Sequence, residues 1–421
     1  MKQLTNEQLK KCIYVLTSLL VVVGFLASLF NLGVIEIPIS SVELNKNIGN
    51  ENAYERDIMA IQEVQPNFGD ISSYFVTLSQ KEGGAYAFEI LKRAPLPSNT
   101  DLHLLGHIIG DEMFKQEGIE GMKYCTADFR NACSHTIVIG ALLQDGLGVF
   151  DEVNEVCQRA PGGPGAYTMC FHGFGHGVLA YTGYDIPSAI ELCSRVGTEK
   201  YGNNEFHQCV GGMVMEMHDG VHDPDAWLPQ KEKFLDLDDP LKICQSDYMP
   251  DEAKYFCYVY ITPYIFDAAG AQNGNPTPEI FSKAFSYCDD IKEEKYRLVC
   301  YGGLGKEFVV LAQSRDIRNV GQMKNEQLSQ VVEWCELAAV EDGVRSCIFE
   351  SQNSLYWGGE NEYDVSIRFC SLMPNATREE VCFEHIFQNV AYYERNEAIK
   401  KEICEAVPNQ YVEMCRAKLV I

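Results

Sequence analysis

Residues 277–300, TPEIFSKAFSYCDDIKEEKYRLVC, contain the pattern from which the fold can be predicted. Thr277 and Pro278 are typical of the cap and first turn of a helix, whose apolar pattern ends at Cys288. A second helical pattern begins just before Cys300. The stretch therefore predicts a helical hairpin, with one cysteine at the end of its first helix and another near the start of its second.

The same arrangement recurs along the chain. Apart from Cys12, the sixteen other cysteines lie beyond residue 124 and form eight couples. From Cys157 onward the first cysteines of successive couples are 34 to 51 residues apart, which is the range of helical-hairpin repeats. Residues 85–114 fit the plan without cysteines. We therefore predict an all-α fold, a helical-hairpin repeat of the α-solenoid or α/α-superhelix kind. The couples are Cys125/Cys133, Cys157/Cys170, Cys193/Cys209, Cys244/Cys257, Cys288/Cys300, Cys335/Cys347, Cys370/Cys382 and Cys404/Cys415.

Disulfides are the predicted role of these cysteines. Their number is even, and the spacing C-x-x-C that tetrahedral zinc sites usually need does not occur in the sequence. A bridge that closes about 15 residues removes roughly 3 kcal/mol of unfolded-chain entropy. Pairing within each couple is the simplest connectivity, but spacing alone leaves bridges between neighbouring hairpins open.

The N-terminus predicts a membrane anchor. Residues 13–35 are mostly apolar and long enough to span a bilayer as a helix, and lysines precede them. We predict a cytoplasmic tail (1–11), a transmembrane anchor (12–35), a juxtamembrane spacer (36–69) and an extracytoplasmic repeat domain (70–421), all in a single-pass protein of the cell membrane. A cleaved signal peptide is the alternative. Either leader places the cysteines in a compartment where disulfides persist.

Net charge restricts the partners. Thirty-four Lys and Arg against 60 Asp and Glu leave a formal charge of −26, which disfavours nucleic acid because phosphates would be repelled. The expected partners are the membrane, through the N-terminal helix, and a protein or small molecule on the concave face of the array. Tyr181, Tyr184, Trp227 and Trp357 are candidate aromatic anchors for such a partner.

Five histidines occupy two equivalent positions of the predicted second helices. They predict a site for a divalent transition metal, Zn, Fe or Cu, because neutral imidazole is the usual ligand of these ions and an i, i+4 pair presents two from one helix. In later hairpins the same positions hold Gly302 and Lys306, so the fold does not require histidine there. A polar-ligand or proton-handling site, or structural histidines that donate to carbonyls, are the alternatives. The predicted ligands are His103, His107, His135, His172 and His176.

Carboxylates and glycines accompany these histidines. Asp111, Glu112 and Glu216 are candidate ligands or partners of ligands, and Glu112 and Glu216 are candidate catalytic bases. Three glycines alternate with the histidines of residues 172–177 (HGFGHG), at a cost of about 1 kcal/mol each in a helix. Such a cost predicts that a backbone or a ligand approaches closely.

A second constellation is a candidate copper site. Thioether and imidazole together suit Cu(I). However, Met213 and Met217 are one helical turn apart, which also suits a core position. The sequence HDGVH of residues 218–222 lacks the glutamate of the zinc-protease motif H-E-x-x-H. The residues of this candidate site are Met213, Met215, Met217, His218 and His222.

Three functions follow from these patterns. The first is a binding or scaffold protein that includes a histidine-bound metal. The second is a metalloenzyme, hydrolytic or redox, that uses the same histidines, and the third is a protein that captures copper or another metal. An enzyme requires a cavity over the histidines, whereas a scaffold requires a broad exposed surface with apolar anchors.

Overall fold

The protein is helical throughout the part that the computed structural model describes, which is residues 45–161, 163–196, 204–220, 222–271, 276–356 and 363–421. Short 3₁₀ turns connect several of the helices. The helices are α1 (Glu51–Ile61), α2 (Phe68–Glu82), α3 (Gly84–Arg93), α4 (Leu102–Glu117), α5 (Asp128–Asp145), α6 (Phe150–Cys157), α7 (Gly163–Tyr181), α8 (Ile186–Cys193), α9 (Asn204–Asp219), α10 (Pro224–Phe234), α11 (Lys242–Gln245), α12 (Asp251–Tyr260), α13 (Thr262–Ala269), α14 (Pro278–Asp289), α15 (Glu294–Ala312), α16 (Asn325–Cys335), α17 (Glu341–Tyr356), α18 (Tyr363–Ser371), α19 (Ala376–Tyr393), α20 (Glu397–Ala406) and α21 (Val412–Leu419).

Eight disulfides link neighbouring helices along the chain. Each joins the two cysteines of one predicted couple, which are 8 to 16 positions apart. Cys157 at the end of α6, for example, is bonded to Cys170 in α7. The predictions of an all-helical fold and of disulfides are therefore confirmed, and bridges between neighbouring couples do not occur among the described residues. The bonds are Cys125–Cys133, Cys157–Cys170, Cys193–Cys209, Cys244–Cys257, Cys288–Cys300, Cys335–Cys347, Cys370–Cys382 and Cys404–Cys415.

One row of helices packs side by side through the molecule. In order, α4, α5, α7, α9, α12, α15 and α17 each contact the next. The row is curved, since residues near its first helices form hydrogen bonds with residues near its last helices. The Asn99 amide donates to the Ser314 carbonyl at 2.8 Å, and Arg130 Nη2 donates to Ser354 Oγ at 2.8 Å. Side chains on the inner side of this row therefore face one another.

Glycines let the helices of this row approach closely. A Cβ added at Gly173 of α7 would overlap the backbone of His135 in α5. A Cβ at Gly175 would overlap the Cys209 carbonyl oxygen, and one at Gly212 would overlap the His172 carbonyl oxygen. The close approach predicted from the glycines therefore occurs, and the approaching group is the backbone of a neighbouring helix.

Substitution of Gly175 tests this packing. We expect Gly175→Ala to lower the free energy of unfolding by about 1–3 kcal/mol, because α7 and α9 must separate to accommodate the methyl group. Gly148→Ala is the matched control, since nothing lies within 4 Å of a Cβ there. Urea titration of both variants measures the difference. Equal stability of the two variants would contradict a backbone-contact role for Gly175.

Only part of the predicted N-terminal region lies within the described residues. The predicted anchor and cytoplasmic tail lie outside the described residues, as does the first part of the predicted spacer. From residue 45 onward the spacer belongs to the folded unit. Tyr54 of α1 is buried and stacks on Tyr86 at 5.2 Å between ring centroids, and Tyr86 donates to Asp57 at 2.7 Å. Burial of one face of α1 explains why a polar stretch is ordered here.

A different stretch has the length and apolar composition of a membrane span. Within the described residues, Asp128–Cys157 is long and apolar enough to cross a bilayer. More than half of its most apolar part, 56 %, is buried against the rest of the protein. Core packing is therefore sufficient to explain its apolar character, and the stretch is weak support for a membrane span.

Candidate functional site

The row of helices brings all five predicted histidines together with a sixth. His103 and His107 lie on α4, His135 on α5, and His172 and His176 on α7. Neighbouring rings in the cluster are 4.6 to 6.3 Å apart between centroids. The sixth imidazole, His222, follows α9, and its ring lies 5.8 Å from His107 and 5.9 Å from His176. We call these six residues the histidine cluster.

Three nitrogens of the cluster converge on one point. His107 Nε2 lies 3.1 Å from His103 Nε2 and 3.3 Å from His135 Nδ1. These three residues form a group whose ligand atoms all lie within 4.8 Å of one another. A tetrahedral ion with metal–nitrogen bonds of about 2.0–2.1 Å separates its nitrogens by about 3.3 Å. The spacing of this group, the triple-histidine set, is therefore that of a metal-ligand set.

A backbone carbonyl orients the first of these imidazoles. His103 Nδ1 donates to the Phe129 carbonyl at 2.6 Å, which leaves Nε2 with its lone pair facing the other two nitrogens. Phe129, Arg130 and Asn131 all have left-handed backbone conformations, with φ of 56°, 55° and 62°. Such conformations cost about 1–2 kcal/mol per residue. Strain of this kind concentrates at functional sites.

Burial favours the neutral form of four of these imidazoles, those of His103, His107, His135 and His172. Desolvation lowers the pKa of His103, His107 and His172, and in each case the neighbouring imidazoles lower it further. Neutral imidazole is the form that binds metal. Several buried ring nitrogens, including His107 Nδ1 and His172 Nδ1, make no hydrogen bond to the described residues. Structural histidines that donate to carbonyls, the alternative interpretation, account for His103 but not for these rings.

Glu216 joins two further histidines into a second group, the His–Glu–His set. Its Oε2 lies 3.1 Å from His176 Nδ1 and 2.7 Å from His222 Nδ1. Its other oxygen, Oε1, accepts from the Tyr184 hydroxyl at 2.6 Å and from the His222 backbone amide at 3.1 Å. Burial would raise the pKa of Glu216, but the charge of His222 and the hydrogen bonds from both histidines lower it. The carboxylate is therefore ionised and fully oriented.

The two other candidate carboxylates, Asp111 and Glu112, lie on α4 and have different surroundings. The structure does not bring Glu112 to the cluster, because its oxygens contact Gln80 Nε2 at 3.2 Å and Lys115 Nζ at 2.6 Å. Asp111 follows His107 by one helical turn, and its charge acts on His222 and Glu216. Burial raises the pKa of Asp111 to about 6.

The methionine and histidine set proposed for copper is dispersed. Met213 and Met217 are fully buried in the core, whereas Met215 borders a cavity. Both nitrogens of His218 contact carboxylates, those of Asp219 at 2.6 Å and Asp267 at 3.2 Å. Burial would lower the pKa of His218, but these carboxylates raise it to about 10. Nothing in this arrangement gathers the thioethers around one point.

Sequence reasoning misses two participants of the site. It assigns His222 to the copper constellation and Tyr184 to the surface anchors. Tyr184 is instead fully buried and donates to Glu216. Helix α9 contains Glu216 and ends just before Gly220, which has φ of 63° and precedes His222. The short spacing from Glu216 to His222 is the signal in the sequence that could have indicated this pair.

The other candidate anchors lie apart from the cluster or outside the described residues. Tyr181 is exposed at the end of α7, as a surface anchor requires. Trp227 is half-buried, and its indole nitrogen donates to the Met217 carbonyl at 2.7 Å. Trp357 falls outside the residues that the structure describes.

A cavity of about 210 Å³ reaches the cluster. His103 and His172 line one part of its wall, and Tyr260 packs on His172 at 4.6 Å between ring centroids. Other parts of the wall carry both cations and carboxylates, among them Arg130, Lys306 and Glu307. A small molecule in this cavity would therefore contact two of the imidazoles directly.

No protein-family model matches the chain, and comparison with curated proteins and with solved structures finds no significant match. The fold and the site therefore define only a broad class of protein. The protein is helical and rich in disulfides, which indicates an oxidising or extracellular compartment. Its described residues include two groups of side chains that could hold a metal ion.

Proposed function

We propose that the protein is an extracytoplasmic metalloenzyme, hydrolytic or redox, whose metal ion is held by His103, His107 and His135. The observation that carries the proposal is the convergence of their three buried nitrogens, with separations of 3.1 and 3.3 Å. The proposal includes the single membrane anchor at residues 12–35 and the helical-hairpin repeat, which together would hold the site outside the membrane.

Access to the cluster favours an enzyme over a scaffold. His107 is 3 % exposed and His135 is fully buried, so a protein partner has no route to them. The cavity that reaches His103 offers room for a small molecule instead. Three protein ligands also leave one position of a tetrahedral ion free, as catalytic zinc sites do. A site of this kind serves small-molecule chemistry better than recognition of a protein surface.

The ligand chemistry restricts the metal. An all-imidazole set suits Zn, Fe or Cu, and it is a poor match for Mg or Ca, which prefer oxygen ligands. A bound ion would supply either Lewis acidity, with an activated water, or a redox couple. The chain's own contribution is to hold the three rings in position and to exclude bulk water from them.

Metal analysis of the purified protein tests the proposal. We expect the full-length chain, produced in an oxidising compartment without a histidine tag, to contain stoichiometric transition metal by mass spectrometry. His135→Ala should lose the ion of the triple-histidine set, because only two of its three nitrogens remain. His385→Ala is the matched control, since His385 stacks on Phe349 outside the cluster. Wild-type protein without metal, also after incubation with Zn²⁺, Cu⁺ and Fe²⁺, would overturn the proposal.

A further inference from the structure

The oxygens of Glu216 have two different kinds of surroundings. Oε1 accepts two hydrogen bonds, from the Tyr184 hydroxyl and the His222 amide, and these donors hold the carboxylate in place. Among the described residues, Oε2 contacts the Nδ1 atoms of His176 and His222. A carboxylate that binds a metal through one oxygen is typically hydrogen-bonded through the other. Glu216 has this arrangement.

The three atoms around that oxygen form a ligand set. His176, Glu216 and His222 each offer one atom, and these atoms lie within 4.8 Å of one another. Two histidines and one carboxylate are the ligands of many zinc hydrolases and of non-haem iron oxygenases. The rings of His176 and His222 make no hydrogen bond through Nε2 to the described residues, so Glu216 is their main polar partner.

The His–Glu–His set adjoins the triple-histidine set. His107, a member of the triple-histidine set, packs against His176 at 5.5 Å and His222 at 5.8 Å between ring centroids. We propose that His176, Glu216 and His222 bind a second transition-metal ion, so that the site is a two-metal centre. The inference rests on the proposed function, since it adds a second ion beside the first.

Charge supports a second ion at this position. The triple-histidine set offers imidazole nitrogens only, whereas the His–Glu–His set adds the carboxylate of Glu216. Negative charge in a buried place stabilises a cation strongly. Two ions held by these residues would supply Lewis acidity, which suits substrates with a phosphoryl, carbonyl or peroxide oxygen.

The test counts ions in the full-length protein and in two matched variants. Zn²⁺ alone is the probe, and bound zinc is measured by mass spectrometry after dialysis. Wild type should hold two ions per chain, and Glu216→Gln should hold one, with the second affinity reduced at least tenfold. Glu205→Gln is the control, because Glu205 is a buried carboxylate of the same helix that also accepts from a tyrosine, Tyr167. It should keep both ions.

The outcomes separate this inference from the proposed function. Either of two results would refute the second site and leave the first. One is two bound ions in Glu216→Gln. The other is a single ion in wild type that His135→Ala removes and Glu216→Gln does not. No ion in wild type would refute both. His222→Ala gives an independent count if Glu216→Gln fails to fold, which near-ultraviolet circular dichroism would reveal, and it too should hold one ion.

Discussion

Reduction of the eight disulfides is expected to unfold the protein. Each bond closes a loop of 8 to 16 positions, which stabilises the folded state by about 2.5–3 kcal/mol in the chain-entropy model. Even if these contributions add incompletely, several such bonds together match the roughly 5–15 kcal/mol that stabilises a typical domain. The reduced chain should therefore be unfolded at 37 °C and show no cooperative thermal transition, because its helices are no longer held in pairs.

The reductant must have access to the buried disulfides. Every disulfide cysteine is at most 5 % exposed, so a reductant acts slowly on the native protein. We propose to unfold the chain in denaturant, reduce it, and return it to buffer with reductant, followed by circular dichroism and limited proteolysis. The same cycle without reductant is the control. A reduced chain that regains a sharp transition and protease resistance would show that helix packing alone suffices.

His107→Ala is expected to cause the largest loss of metal affinity of any single substitution. Its Nε2 contacts both other nitrogens of the triple-histidine set, and its ring packs against two members of the His–Glu–His set. Structural zinc sites with four ligands bind with about 10–16 kcal/mol, so one ligand is worth about 3 kcal/mol. The first ion should therefore bind more than about a hundredfold more weakly. The second ion should weaken less, because His107 only packs against its ligands.

Competition with a chromophoric chelator measures both affinities. His207→Ala is the matched control, since His207 stacks on Phe256 away from the cluster and should leave both affinities unchanged. If His107→Ala and His207→Ala bind zinc equally well, His107 is not a ligand. Thermal unfolding of both variants without metal would show whether a loss of affinity reflects a damaged fold.

The histidines of helices α4, α5 and α7 are predictable because they repeat. His135 and His172 each follow the second cysteine of a couple by two residues, and His103 has the same position after Asp101, in the hairpin without cysteines. The sequence HGFGHG indicates close contact. The repeat does not say which group approaches these glycines. The structure assigns that role to backbones of adjacent helices, such as His135 beside Gly173.

Asp111 and Glu112 are neighbours in the sequence and are both candidate ligands there, but they lie on different faces of α4. His103, His107 and Asp111 recur every fourth residue, so they share one face of α4. Glu112 lies about 100° further around the helix and meets Gln80 of α2. His222 cannot be found in this way, because it follows the end of a helix and the turn at Gly220 determines its direction.

Local sequence patterns are sufficient to predict the helices, the cysteine couples and five of the six histidines, because helix periodicity and short loops depend on few residues. Tertiary structure alone decided how the row of helices curves, and hence which nitrogens meet. It also decided that Glu216 joins His176 to His222, since that contact spans 40 positions between helices α7 and α9 and depends on glycines that let their backbones touch. Long-range packing of this kind is set by the fit of whole surfaces, which no short stretch encodes.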